Sequence, residues 1–371
     1  MTKIDIGIIG LGGAGRAHAQ RFRRNGSVGR ILGYDIKETG VAIEGVERVS
    51  SLNELLAGSS AISICTPDHL HLEGIVAGLG AGKHVLVEKP MVASHREAIE
   101  LGTVLARHPD LVFGVHHQMR YAAPFRKAAE LIASGALGKV YYMEANYWHN
   151  MKDRSVKFDN WRMTQGQSLV FGHSCHPLDL LMHLAGSAPE SHTTYVSKIG
   201  FDDYSAAYTS VTTMLNFPGN IIAKSHVNSC CEFPQLNDLT VLGDQGSYVD
   251  GVLFKDGRFS QVSDFFGTGP SGLALNVVDI KIPRRLVSLA FNVYLRTFNW
   301  LSNRLMSHPD FGFRKYPLTV YNHDGACQVI VDNFVAAIQG REPVLVGYGD
   351  ATRVIKLCED AELDGLRNFR S

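Results

Sequence analysis

Residues 4–15 read Ile4-Asp5-Ile6-Gly7-Ile8-Ile9-Gly10-Leu11-Gly12-Gly13-Ala14-Gly15, a short β-rich run that breaks into G-x-G-x-x-G. In such a motif Gly10 permits a tight turn and Gly12 lets the backbone approach a pyrophosphate. Gly15 lets the next helix pack closely on its strand. That helix is expected over Arg16–Arg24. The free N–H groups and positive dipole end around Gly13, Ala14 and Gly15 suit phosphates. A second strand is expected at Ile31–Tyr34, and Asp35 closes it twenty positions after Gly15. A carboxylate there hydrogen-bonds the adenosine ribose hydroxyls and repels a 2′-phosphate, which favours NAD. Lys37 and Arg16 lie close enough in sequence to leave NADP open.

Outward from this motif, strands and helices alternate. Helices are expected at Leu52–Leu56, His71–Leu79 and His95–Ala106, with strands at Ala61–Cys65, His84–Val87 and Leu111–Val115. Short apolar strands separated by helices imply a parallel sheet covered on both faces, hence an α/β, doubly wound Rossmann domain over residues 1–120. Beyond it the pattern changes. A helix at Phe125–Ser134 is closed by Gly135, and strand-like stretches follow at Val140–Trp148, Ala206–Asn216, Ile221–Val227 and Leu239–Leu242. Helices at Ala326–Gln339 and Asp350–Leu363 end the pattern. Residues 121–371 thus read as an α+β domain with a large, mostly antiparallel open sheet.

Composition agrees with a two-domain enzyme. The chain has 371 residues, with 36 Lys+Arg against 36 Asp+Glu, and that balance argues against a nucleic-acid partner. Its six cysteines form no C-x-x-C, and no His/Asp/Glu group has metal-ligand spacing. Reduced thiols, no metal and a cytoplasmic location are the expectation. No apolar run approaches the roughly 18 residues of a membrane span, and nothing near Met1 resembles a signal peptide. One segment stands apart. Between Arg284 and Met306, Val287, Phe291, Tyr294, Phe298, Leu301 and Leu305 recur at helical steps opposite a basic polar face. This amphipathic insertion, about 284–306, reads either as a helix packed on protein or as a peripheral contact with an anionic membrane.

Two further stretches carry chemistry. Cys65-Thr66-Pro67-Asp68-His69-Leu70-His71 follows one predicted strand, and Glu88-Lys89-Pro90 follows the next. Both lie at carboxyl ends of parallel strands, where open α/β sheets bind ligands. With the glycine motif, and with Met119-Arg120-Tyr121, Ser134-Gly135-Ala136-Leu137-Gly138-Lys139-Val140 and His176-Pro177-Leu178-Asp179, they make residues 3–185 resemble the glucose–fructose oxidoreductase / inositol dehydrogenase (Gfo/Idh/MocA) family.

The resemblance implies NAD(P)-dependent oxidation or reduction at a sugar or polyol carbon, and a homo-oligomer (dimer or tetramer) assembled through the open sheet. It places Lys89 beside the nicotinamide and the reacting hydroxyl, where an ammonium stabilises alkoxide character. Thr66, Pro67, His71 and Glu88 join the cofactor side. His176 corresponds to the family's general base, suited by an imidazole that titrates near neutrality. Many members carry Asp four residues earlier, where this chain has Gly172. His173 either substitutes for that carboxylate or marks a different proton path. Asp179, one helical turn after His176, either holds its ring or stabilises the helix. Arg120, Arg126 and Arg162 favour an anionic, phosphate- or nucleotide-linked sugar. A free polyol, a redox-neutral glycosidic cleavage and a non-catalytic sensor are the other readings.

Overall fold

The computed structural model describes residues 3–37, 42–149, 170–199, 208–231, 235–261 and 323–369. Residues 1–118, 161–175 and 326–362 form one compact unit, and residues 119–160, 176–325 and 363–371 form another.

The first unit follows the chain order β1 (Ile4–Ile9), α1 (Gly13–Arg24), β2 (Val28–Tyr34), β3 (Glu47–Arg48), α2 (Leu52–Gly58), β4 (Ala61–Ile64), α3 (His71–Gly80), β5 (His84–Val87), α4 (His95–Leu105) and β6 (Phe113–Val115). Its six strands lie in the order β3-β2-β1-β4-β5-β6, every pair parallel. The strands are apolar on both faces because helices cover both, and Ile6, Ile8, Ile62, Ile64, Val85 and Val87 are buried. Each such side chain stabilises the fold by about 1.5–3 kcal/mol. Helix starts are set by side chains: Ser51 and Ser94 accept from the backbone N–H groups of Glu54 and Glu97, both at 3.2 Å. Glu54 and Glu97 in turn accept from the N–H groups of Ser50 and Ala93, the residues just before the two N-caps.

Residues 326–362 return to this unit through specific bonds. Val115 N–H donates to Val346 O at 2.9 Å, Tyr348 Oη to Ala98 O at 2.9 Å, and Asn25 Nδ2 to Asp332 Oδ1 at 2.7 Å.

The second unit contains α5 (Ala123–Ala133), β7 (Val140–His149), α6 (Cys175–Ala185), β8 (Ser191–Ser197), β9 (Ser210–Phe217), β10 (Ile221–Asn228), β11 (Gln235–Gly243), β12 (Ser247–Val249), β13 (Val252–Lys255) and β14 (Arg258–Gln261). The eight strands lie in the order β14-β13-β12-β11-β7-β10-β9-β8, and only β7 and β10 run parallel. Alternation sorts the two faces. Met143, Ala145, Val211, Leu215, Ala223, Val227, Leu239 and Val241 are buried on one. The other carries the Glu144–Lys224 pair at 2.6 Å, the Asn146–Asp238 hydrogen bond at 2.8 Å, and exposed Tyr195, Met214 and Ile222.

Among the described residues no helix is long and apolar enough to cross a membrane. Residues 284–306 and Arg162 lie outside the described residues.

Candidate active site

The carboxyl ends of β1, β4, β5 and β6 gather the candidate residues of the first unit. After Ile9, Gly10 adopts φ +90°, and a Cβ there would stand 2.8 Å from Cys65 O. A Cβ on Gly15 would fall 1.9 Å from Gly10 O, so any side chain would push α1 off its strand. At Gly12 and Gly13 a Cβ would meet nothing within 4 Å, which leaves open space beside the first helical turn. The N-cap, Gly12, supplies no side-chain cap, and the first turn holds no acidic residue. Helix N–H donors and open space together fit a pyrophosphate. Thr66, at the end of β4, carries a buried Oγ1 without a partner among the described residues, as a ligand-facing hydroxyl would.

Asp35 holds this loop. Its Oδ2 accepts the Leu11 N–H at 2.7 Å and its Oδ1 the Lys37 N–H at 2.8 Å. A carboxylate has about four acceptor sites, so these two bonds leave capacity for ribose hydroxyls. Basic groups crowd the same corner: Arg16 Nε donates to Leu11 O at 3.2 Å, and Arg48 Nη2 to Lys37 O at 2.7 Å.

The strand-end loops are tied together by His71. Its ring nitrogens lie 2.8 Å from Pro90 O and 3.0 Å from Thr66 O, so this buried side chain fixes the Thr66-Pro67 and Lys89-Pro90 segments to each other. Lys89 Nζ donates to Gly172 O at 3.0 Å. Gly172 lies in a π-helical turn, Val170–Ser174, that also carries the half-buried His173. Where the family resemblance expects a carboxylate side chain, this chain therefore offers Lys89 a backbone carbonyl.

Glu88 is surrounded. Its Oε1 lies 2.8 Å from His18 Nε2 and 3.3 Å from His116 Nδ1, and its Oε2 accepts the Lys89 N–H at 3.2 Å. His18 Nδ1 faces Ser63 Oγ at 2.8 Å. Burial pushes the Glu88 carboxyl up, but the His116 and His18 rings and the Lys89 ammonium overcome it and hold the group well below the usual carboxylate range. Burial likewise disfavours a charged His18. The Cys65 sulfur and the Glu88 carboxylate outweigh it, raising the ring's pKa to about 10.

No motif in the sequence marks His18 or Ser63, and His116 and His117, which follow β6, are both buried. The available signal was His18 itself, three residues past Gly15 on the helix that packs against β1. The ligand atoms of His18, Glu88 and His116 also lie within 4.8 Å of one another, a grouping that residue spacing could not reveal. Ligands at 2.0–2.1 Å from a tetrahedral zinc stand about 3.3 Å apart, so the 2.8 Å contact is that of a hydrogen bond.

In the second unit, His176 opens α6, buried, with its ring stacked on Tyr147 at 5.1 Å and 19°. Asp179 lies one turn on and is fully buried. Its carboxylate accepts from both Arg120 Nε (2.7 Å) and Arg120 Nη2 (2.5 Å). Asp179 thus faces a guanidinium, and Arg120 spends its fork on an internal carboxylate. Arg126 is exposed, 3.9 Å from Glu130.

Comparison with known proteins matches two stretches of the chain. Residues 4–117 match the family model described as "Oxidoreductase family, NAD-binding Rossmann fold", and residues 125–249 match "GFO/IDH/MocA C-terminal domain". The chain is 28% identical to 1,5-anhydro-D-fructose reductase of Ensifer adhaerens, over 54% of this chain and 60% of the relative. It is 29% identical to UDP-N-acetylglucosamine 3-dehydrogenase of Acidithiobacillus ferrooxidans, over 51% of this chain and 56% of the relative. The chain thus spans little more than half the length of these curated relatives. In fold it is similar to myo-inositol 2-dehydrogenase from Lactobacillus plantarum, with a TM-score of 0.73, 18% identity, and 99% and 98% of the two chains covered.

Proposed function

This chain belongs to the Gfo/Idh/MocA family of oxidoreductases with an NAD-binding Rossmann domain, and on that premise we propose that it moves hydride between a nicotinamide cofactor and a secondary hydroxyl or keto carbon of a sugar. The observation that carries this reading is Lys89: its ammonium, held at 3.0 Å by Gly172 O, sits at the end of β5 in the sheet whose β1–α1 turn forms the open glycine cradle. NAD(P), when bound, supplies the hydride acceptor. Gly12, Gly13, Ala14 and Gly15 hold the phosphates through backbone N–H groups, Asp35 holds the ribose, and Thr66, Pro67 and Glu88 line the same strand ends.

Lys89 stabilises negative charge on the substrate oxygen. A lysine that already donates one bond to a carbonyl keeps two N–H groups for that oxygen. His176 takes the hydroxyl proton and returns it in the reverse direction. Its stacking on Tyr147 fixes the plane of the buried ring. His173, beside Gly172, is a second proton carrier on the substrate side. Arg120 and Asp179 enter as the pair that holds α6 rather than as direct ligands. A phosphate- or nucleotide-linked sugar is the substrate class, supported by the UDP-N-acetylglucosamine 3-dehydrogenase relative. The half-polar outer face of the eight-stranded sheet supports a homo-oligomer.

The test is turnover with NAD against UDP-N-acetylglucosamine, glucose 6-phosphate and myo-inositol, followed by absorbance of the reduced cofactor. Turnover of an anionic sugar above myo-inositol is expected, and the reverse order would make the chain a polyol dehydrogenase. His176→Asn is expected to lower kcat by about 10²–10⁴-fold. For the cofactor, Asp35→Ser should weaken NAD by about tenfold or more, since a hydrogen bond to a charged group contributes about 1.5–3 kcal/mol. It should tighten NADP relative to NAD because Arg16, Lys37 and Arg48 are then unopposed. Equal loss for both cofactors in titration calorimetry would contradict that role.

A further inference from the structure

Glu88 and Lys89 are neighbours at the end of β5, and an ammonium beside a half-buried carboxylate would ordinarily pair with it. Here it does not: Lys89 Nζ reaches Gly172 O instead. The reason lies in what already occupies the carboxylate. His18 comes from α1 and His116 from the end of β6, and both ring nitrogens converge on Oε1, at 2.8 and 3.3 Å. Oε2 is taken by the Lys89 backbone N–H at 3.2 Å. The two imidazoles lie face to tilted face, 4.5 Å between centroids, and both are buried. Ser63 Oγ at 2.8 Å from Nδ1 sets the orientation of the His18 ring from behind.

Resting on the reading of Lys89 given above, we propose that His18 and His116 are positioning residues for Lys89: by occupying the Glu88 carboxylate they keep the adjacent ammonium from collapsing onto it and direct it toward Gly172 and the reacting oxygen. The charged and titratable groups that face this cluster are Cys65 after β4, Glu88 and Lys89 after β5, His116 after β6 and His18 on α1. The raised pKa of His18 and the depressed one of Glu88 fit a held ion pair. Because His18 sits one turn beyond the glycine loop, the helix that cradles phosphates also helps place the lysine.

The test compares His18→Asn with His18→Gln in the full chain. A Gln amide reaches the position of Nε2 and still donates to Glu88, whereas an Asn amide stops at the position of Nδ1. The first readout needs neither cofactor nor turnover: the rate at which acetic anhydride modifies Lys89, read by peptide mass spectrometry against the exposed Lys198. Lys89 is expected to react at least about threefold more slowly in His18→Asn, where a freed carboxylate holds the ammonium, and within about twofold of wild type in His18→Gln. Adding Glu88→Gln to His18→Asn should restore the rate, since the competing carboxylate is gone. A merely structural role for His18 predicts further damage in the double variant.

Unchanged Lys89 labelling in His18→Asn, or no restoration by Glu88→Gln, overturns the proposal. If His18→Asn does not fold, His116→Phe, which removes the Nδ1 that faces Glu88, carries the same expectation with the same Glu88→Gln partner. Turnover of Lys89→Met separates the two claims. Retained turnover there removes the catalytic reading of Lys89, while the labelling still decides whether the two histidines hold the carboxylate.

Discussion

Lys89→Met is expected to lower kcat by about 10²–10³-fold while leaving the affinity for NAD nearly unchanged. The magnitude is that of removing one preorganised donor from a developing oxyanion. Methionine keeps the length and packing of the lysine stem, so the loss isolates the charge. Two features make the effect specific to chemistry. On the proposed reading the dinucleotide is held by backbone N–H groups at Gly12–Gly15, and Lys89 has no part in that hold. The ammonium is already fixed by Gly172 O, so in wild type little reorganisation remains when the substrate oxygen gains charge. Initial rates at saturating substrate, paired with fluorescence titration of the reduced cofactor, check both halves of the expectation. A drop in kcat/KM that came wholly from KM would assign Lys89 to uniform substrate binding instead.

Arg120→Ala is expected to destabilise the protein by about 3–5 kcal/mol, the cost of leaving one member of a buried ion pair alone. Asp179 is fully buried and its two oxygens are bound by the same guanidinium, so truncation takes both of these bonds from a carboxylate held away from water. Against a total stability of about 5–15 kcal/mol, such a loss brings the chain close to unfolding at growth temperature. Arg120→Lys should fall between, because an ammonium cannot make the bidentate fork. The combined change Arg120→Met with Asp179→Leu should recover much of the loss, since apolar replacement of both partners removes the stranded charge. Thermal melts of the four proteins decide it. A melting temperature for Arg120→Ala equal to that of wild type would mean that the pair does not hold α6.

The parallel sheet was legible because its strands are short apolar runs between amphipathic helices, and β5 at His84–Val87 shows that signal at its clearest. The glycine motif located the β1–α1 turn, though the helix begins at Gly13, three residues before the expected Arg16, because its first turn is glycine. In the second unit the polar strand Ser191–Ser197 was passed over. Its core-facing positions are His192, Thr194 and Val196, only one of them aliphatic, and Thr194 is buried with a hydrogen bond to Thr213. The hairpins β12–β13 and β13–β14 turn on Asp250-Gly251 and Asp256-Gly257, each pair at positive φ, a turn chemistry visible in the sequence but unread. The site divides along similar lines. Local motifs marked Gly10–Gly15, Asp35 and Lys89. The pairing of Arg120 with Asp179, 59 positions apart, and of His18 with Glu88, 70 apart, arises only when the strands are assembled.

The central claim is that hydride leaves a sugar carbon of the substrate under the hand of Lys89. Its most direct test is turnover of uniformly deuterated UDP-N-acetylglucosamine with unlabelled NAD, followed by mass spectrometry of the reduced dinucleotide. One deuterium per reduced cofactor, formed by wild type and lost together with turnover in Lys89→Met, is the expected result. Product formed without deuterium on the dinucleotide, or with the label unaffected by Lys89→Met, would contradict it.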